Sequence, residues 1–497
     1  MVEAAHAYPG VPKDRIEVVK GLRFPDLPSL HWKRRDRLGL EMSRNLLSPQ
    51  ARLHSLSAMK ALLTVSALAI ALSPMAAQAE PVTDSIARDL PGLMTIYRDL
   101  HANPELSYQE VRSAAILAKA AREAGFTVTE KVGQTGVVAV LKNGEGPTVL
   151  IRADMDGLPV VEQTGLAFAS KKRGVSTAGV ESGIMHACGH DTHMTAWIET
   201  ARLMAKRKAE WSGTLVMIGQ PAEEVGTGAV GMLKDGLYTR FPKPDYTLAF
   251  HDSADLPAGQ VGAAVGWALA NVDSVDILVK GLGGHGAYPQ ATKDPIVLAS
   301  SIVMKLQTLV SREMSPLDPA VVTVGSFHAG AKHNIISDQA KLELTVRSYS
   351  DETRAHLLEG IKRIARGEAI ASGLPDTLMP EVSVKDPYTR ATWNTPEFTQ
   401  EAVADLKTKM GDGNVVVTPS VMGGEDFGEF RRADEDHIKS VIFWVGGADP
   451  QKIAAAKAGG PALPSLHSPF WAPQADKVIA SGSEALTLTA LRLMPKQ

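Results

Sequence analysis

The sequence predicts an α/β fold in which a central mixed sheet is flanked by helices and carries an inserted β-α-β-β-α-β domain. Three observations predict it. From residue 83 onward, short apolar runs alternate with segments of helical period, the pattern of a sheet covered by helices. Three of these runs, Thr-Val-Leu-Ile at 148–151, Thr-Leu-Val-Met-Ile at 214–218 and Tyr-Thr-Leu-Ala-Phe at 246–250, are each followed at once by polar residues. Between about 266 and 389 the order changes to strand, helix, two strands, helix and strand, a ferredoxin-like split motif.

In chain order, two helices are expected between 83 and 125, followed by the three apolar runs as buried strands. A helix opens near His190, because Met194, Trp197, Ile198, Ala201 and Met204 recur at helical spacing. The inserted segment reads as strand 272–280, helix 294–311, strands 320–327 and 339–347, helix 351–371 and strand 380–385. From about 390 the α/β texture resumes, ending in a helix over 474–493. The expected organisation is a leader at 1–79, one larger domain built from 80–265 and 390–497, and the insert at 266–389.

The leader contains Met59-Lys60, an apolar run of 12 residues from Ala61 to Leu72, and Ala77-Gln78-Ala79. That order is the n-region, h-region and A-x-A site of a signal peptide, and 12 residues are too few to span a bilayer. The expectation is a signal peptide at 59–79, an over-long start at 1–58 and an exported, periplasmic chain beginning at Glu80. No other segment reaches transmembrane length.

With 44% hydrophobic and 22% charged side chains over 497 residues, the composition is that of a globular protein long enough to bury sizeable cores. The net charge of −3 is unevenly placed: residues 1–79 carry 11 Lys/Arg against 6 Asp/Glu, leaving −8 on the rest. An acidic body without a dense basic face argues against a nucleic-acid partner. Cys188 is the only cysteine, so no intramolecular disulfide can form.

Open α/β sheets bind ligands beyond the carboxyl ends of their strands, and the chemistry-bearing residues cluster there. Beyond the first run stands Arg152-Ala-Asp154-Met-Asp156-Gly-Leu-Pro159. At the start of the following helix, His186, Cys188, His190, Asp191 and His193 place five potential ligands in eight residues. A thiol at a helix N-terminus has its thiolate favoured by the dipole, and the thiolate is the metal-binding form. After the second run comes Gln220-Pro-Ala-Glu223-Glu224. Adjacent carboxylates repel unless a cation shares the site or one takes a proton, and a metal hydrolase uses both: one Glu as ligand, the other as general base. His251 follows the third run, and His467 lies in Leu466-His467-Ser-Pro469. Each feature alone has a plainer reading, as a packed thiol, a solvated glutamate pair or a core histidine.

The elements Arg-Ala-Asp-Met-Asp at 152, His-Ala-Cys-Gly-His-Asp at 186, Gln-Pro-Ala-Glu-Glu at 220, Gly-Gly-His-Gly-Ala-Tyr-Pro at 283, Met-Gly-Gly-Glu-Asp-Phe at 422 and Leu-His-Ser-Pro at 466 resemble the M20 metallopeptidases. They are most similar to the amidohydrolase branch with hippurate hydrolases, N-acyl-amino-acid aminoacylases and auxin-conjugate hydrolases. The resemblance covers about 83–490, and the Cys-Gly-His-Asp element is specific to that branch. It implies metal ligands at Cys188, His190, Glu224, His251 and His467, Glu223 as the base, and two divalent cations bridged by Cys188. Manganese, zinc, cobalt and nickel all suit mixed N, O and S donors. Asp156 and Asp191 are implied to orient ligands; Asp154 stands where the wider family has a histidine. His101 also matches, with a structural role as open as a catalytic one.

The insert resembles the family's lid, which also mediates dimer contacts, and His285 resembles its oxyanion-stabilising histidine. Asn334 and Arg347 are candidates for gripping a substrate carboxylate, Arg347 because its fork matches a carboxylate bidentately. Ser337, Gly424 and Gly157 depart from the usual Pro, Ser and Ala, which bears on substrate preference and not on metal chemistry. The implied reaction is hydrolysis of an N-acyl amino acid by metal-activated water, with Glu223 as base and His285 on the oxyanion. A dipeptidase or carboxypeptidase is the nearest alternative. A hydrolase with Cys188 as nucleophile and a periplasmic metal-binding protein without catalysis are more distant ones.

Overall fold

The computed structural model describes residues 80–496. Helices α1 (Val82–Ala102) and α2 (Val111–Glu123) precede strands β1 (Thr127–Val132), β2 (Gly136–Asn143) and β3 (Thr148–Asp154). Helix α3 (His190–Lys206) leads to β4 (Gly213–Gln220), β5 (Tyr246–Pro257) and β6 (Val261–Ala263). The insert follows as β7 (Asp273–Lys280), α4 (Pro295–Thr308), β8 (Val321–Ala329), β9 (Gln339–Arg347), α5 (Asp351–Ala371) and β10 (Glu381–Val384). The chain closes through α6 (Pro396–Met410), β11 (Val415–Val417), β12 (Lys439–Ala448) and α7 (Ala475–Leu493).

The large sheet has the order β1-β2-β4-β3-β5-β12-β6-β11. It is mixed: β3 runs parallel to β4 and β5, and β12 parallel to β5, whereas β1, β2 and β4 pair antiparallel in sequence. Successive residues point to opposite faces. Val149 and Ile151 therefore pack with Trp197 and Met204 of α3 and Leu486 of α7, while Leu150 joins Val216, Ile218, Ala249 and Phe430 on the other side. Cover on both faces explains why these strands read as continuous apolar runs.

The smaller sheet is antiparallel, in the order β8-β9-β7-β10. Here only one face is covered, and the sequence alternates accordingly: Val275, Ile277 and Val279 of β7 pack against Leu298, Ile302 and Leu306 of α4 and Leu357 and Ile361 of α5. Helix α4 is started by Asp294, whose carboxylate accepts the Ile296 and Val297 N–H groups, with Pro295 at the first helical position. Ser350 caps α5 through the Thr353 N–H.

Every expected element of the insert is present within about two residues, except that α4 ends at Thr308 and continues as a π-helical turn over Leu309–Glu313. The strand expected at 246–250 runs on to Pro257. β12 pairs along it from Tyr246 to Pro257, so His251 lies inside the strand and not after it. Among the described residues no helix is long and apolar enough to cross a membrane. The expected leader and signal peptide at 1–79 lie outside the described residues.

Candidate metal centre and active site

Because β3, β4 and β5 are parallel, their carboxyl ends share one edge of the sheet, with Asp154 paired to Gln220. Past that edge Asp156 is buried, and its carboxylate accepts Ser107 Oγ at 2.6 Å. It also accepts the backbone N–H groups of Glu223 and Glu224, each at 3.1 Å. One carboxylate thus fixes the turn that presents both glutamates. Ala222, just before them, takes a left-handed φ of 52°, held by its N–H donating to Glu110 Oε1 at 2.8 Å.

Cys188 precedes α3, and its Sγ lies 3.3 Å from His251 Nε2 and 3.1 Å from His467 Nε2. His467, at φ 65°, donates its backbone N–H to Ala187 O at 2.8 Å, which ties the distant Leu466-His467 segment beside the cysteine. His190 Nε2 is 3.8 Å from Glu224 Oε1 and 3.9 Å from Glu223 Oε2, and His467 Nε2 is 3.6 Å from Glu224 Oε2. All five residues expected as ligands, together with Glu223, therefore meet in space.

The donor set fits divalent cations. Cys188, His190 and His251 form one group with donor atoms within 4.8 Å of one another, and Cys188, Glu224 and His467 form a second that shares the thiol. His190 Nε2 and Oε1 of Glu224 are buried without a hydrogen-bond partner, as atoms facing a cation would be. Burial pushes the Glu223 carboxyl far above its ordinary value, reinforced by Glu425 and Glu224, and holds Glu224 up at about 8. The expected dipole stabilisation of the Cys188 thiolate is overridden: burial, then the charges of Glu224 and Glu223, push the thiol well up. A bound cation inverts this logic, favouring thiolate and carboxylates together.

Behind the donors lies a buried polar layer that the sequence argument only partly anticipated. His193 Nδ1 is 2.6 Å from Asp154 Oδ1, and its Nε2 accepts the Asp252 N–H at 3.0 Å. Asp154 also accepts Arg152 Nη1 at 2.6 Å, and its Oδ2 lies 3.6 Å from His190 Nε2, beside the donor set. The fully buried Arg152 donates further to Glu425 Oε1 at 2.7 Å and Gln220 Oε1 at 2.8 Å, binding the Met-Gly-Gly-Glu-Asp-Phe segment to the sheet edge. An arginine inside an apolar run, and a histidine one helical turn from His190, were the available signals.

Asp156 Oδ1, expected to orient a ligand, stands 3.5 Å from His190 Nδ1. Asp191 does not touch a donor side chain. It binds His101 Nδ1 at 2.7 Å, and His101 Nε2 lies 3.0 Å from Glu162 Oε1. Burial opposes charge on His101, but the two carboxylates outweigh it and raise the ring to about 10.

A cavity of about 340 Å³ opens on the centre, with Cys188, Glu223, Glu224, His251 and His467 on one wall and Ser274, Arg347, Lys385, Tyr388 and Thr389 of the insert and its return strand on the other. The half-buried Arg347 donates to Thr345 Oγ1 and Met422 O and has no carboxylate partner among the described residues. His285 and Asn334 are not brought to this cavity within the single chain. Both are exposed: His285 pairs with Ile335 in a two-stranded ribbon separate from the four-stranded sheet, and Asn334 O accepts the Gly286 N–H.

The family profile described as Peptidase family M20/M25/M40 matches residues 150–458. An N-acetylcysteine deacetylase of Bacillus subtilis is 37% identical over 71% of this chain and 88% of its own length. A hippurate hydrolase of Campylobacter jejuni is 37% identical over 67% of this chain and 84% of its own. The crystal structure of a Bacillus subtilis protein described as a dinuclear metal binding peptidase from the M20 family covers 82% of this chain and 99% of its own, with a TM-score of 0.64 at 30% identity. The chain therefore belongs to the M20 peptidase family, in its amidohydrolase branch, and is a metal-dependent hydrolase of amide bonds.

Proposed function

We propose that the protein hydrolyses the amide bond of N-acyl amino acids. The observation that carries this reading is the unpaired Arg347 guanidinium facing Glu223 and Glu224 across one cavity. An amino-acid carboxylate held by the Arg347 fork leaves the amide to lie over the donor cluster. Two relatives named for N-acyl amino acids support the same class.

Cys188, His190, Glu224, His251 and His467 would hold two divalent cations, of manganese, zinc, cobalt or nickel type. When bound, such cations supply Lewis acidity, acidifying water and polarising a carbonyl oxygen. Glu223 takes the proton of the attacking water on its carboxylate and delivers it to the leaving nitrogen. Asp156 holds Glu223 in place through the backbone N–H contact. His285 donates to the developing oxyanion, which requires the insert to close as a lid or to reach over from a second subunit. The high thiol pKa of a buried Cys188 among carboxylates argues against a cysteine nucleophile.

The leader order implies export to the periplasm, with cleavage before Glu80. The function is tested by screening metal-reconstituted protein for amine release from N-acyl amino acids and dipeptides. Cleavage of dipeptides with no N-acyl amino acid turned over would replace this reading with a dipeptidase. N-terminal sequencing of envelope-derived protein tests export, and finding residues 1–58 in it would refute it.

A further inference from the structure

A second cavity, of about 330 Å³, lies against the metal-donor cavity and is lined mainly by Ala254, Leu256, Val421, Trp444 and Leu466. The two are lined by neighbouring residues of the same segments. Gly423 lines the apolar cavity and Gly424 the polar one; Leu466 lines the first and His467 the second. Trp444 stands opposite His251 in the strand register, with ring centroids 5.4 Å apart.

We propose that this cavity receives the acyl chain of the substrate, a medium-length alkyl or an aryl group, so that the enzyme prefers such chains to acetyl. The proposal rests on the N-acyl amino acid reading. A scissile carbonyl at the donor cluster carries two substituents: the amino-acid side meets the cationic wall at Arg347, and the other is placed toward the adjoining apolar cavity. The volume lies at the lower end of ligand pockets, which span about 300–1,000 Å³.

Its lining also includes Ser253, Asp255 and Ser465, and two further polar groups in the wall lack partners. Trp444 is 8% exposed, and its Nε1 has no hydrogen-bond partner; Thr418 Oγ1 is likewise unpartnered among the described residues. Buried donors in a finished wall are normally paired, and a few unpaired donors in an apolar lining are the pattern of a ligand pocket. At the boundary between the two cavities, Val272 Cγ2 fills the space beside Gly424, and Leu269 and Val421 stand beside Gly423.

The test measures kcat/KM of the metal-reconstituted full chain for one amino acid bearing acetyl, butanoyl, hexanoyl, octanoyl and benzoyl groups. Wild-type kcat/KM should rise at least about threefold per added methylene until the cavity is full. Val421→Phe and the rim variant Ser465→Phe fill the cavity from two different loops, and each should flatten the profile while N-acetyl turnover is retained. Ser465 is exposed, so Ser465→Phe decides the matter if Val421→Phe does not fold. A flat wild-type profile, or a Ser465→Phe profile that still rises like wild type, overturns the acyl site and leaves the N-acyl reading standing. Absence of turnover on every N-acyl substrate, with dipeptides cleaved, overturns that reading and the acyl site with it.

Discussion

A side chain on Gly189 would collide with the carboxylate of Asp252: a Cβ built there lies 2.2 Å from Asp252 Oδ2 and 2.4 Å from Oδ1. Gly189 takes φ +81°, the left-handed turn between the Cys188 thiol and the first residue of α3, His190. Asp252, next to His251 on β5, accepts Trp471 Nε1 at 3.2 Å. The glycine thus lets the helix start approach the strand closely enough for Cys188 and His190 to meet His251.

Gly189→Ala should therefore lose stability and metal together. The left-handed backbone alone costs about 1–2 kcal/mol for a residue with a Cβ, and displacement of Asp252 adds to it. Thermal unfolding and elemental analysis are the checks; an unchanged melting temperature with full metal content would show that the close approach is not needed.

Cys188→Ser should lower bound metal and activity in parallel, since the thiol belongs to both donor groups. Chelation should abolish wild-type turnover, and added divalent cation should restore it. Full activity of metal-free protein with a trapped acyl-thioester would establish the nucleophile alternative instead.

Glu223 and Glu224 should separate cleanly. Glu223→Gln is expected to keep its metal while turnover falls by about 100-fold or more, as for loss of a general base. Glu224→Gln is expected to lose metal as well. Metal loss from Glu223→Gln alone would reverse the two roles.

His285→Ala should depress kcat by about 100- to 1,000-fold with metal content unchanged, the usual effect of losing an oxyanion donor. Its exposed position in the single chain makes a subunit-mixing experiment informative. Activity regained on exchanging inactive His285→Ala with inactive Glu223→Gln subunits shows donation across an interface. Wild-type turnover by His285→Ala excludes the role.

His101 should make stability depend on alkaline pH. Its pKa is raised from the ordinary 6.5 to about 10 in the folded chain, where Asp191 and Glu162 outweigh burial. The raised value means that the stabilisation is fully present below about 6.5 and is lost as pH climbs through 10. The melting-temperature gap between wild type and His101→Gln should shrink between pH 7 and 10. A constant gap would remove the charged His101 from the account.

The sequence by itself determined the α/β class, the order and near-exact extents of the elements between 272 and 385, and which residues of cation-binding type stand near one another. Those are local properties. Alternation on β7 marks one covered face, continuous runs at β3 and β4 mark two, and Cys, His and Glu are the residue types a cation selects. Tertiary structure decided what depends on residues far apart in the chain. Only the pairing of β12 along β5 places His251 inside a strand, and only the Ala187 carbonyl ties His467 to Cys188. The roles of Arg152, His193 and Asp252 were hidden because a buried charge declares its function through its partners, here Glu425, Asp154 and Gly189. The thiol pKa followed the same rule: the helix dipole is written in the local sequence, but burial and the carboxylates that outweigh it arrive from β4 and β5. The placement of His285 and Asn334 outside the cavity is likewise tertiary, since it depends on how the ribbon that carries them sits apart from the four-stranded sheet.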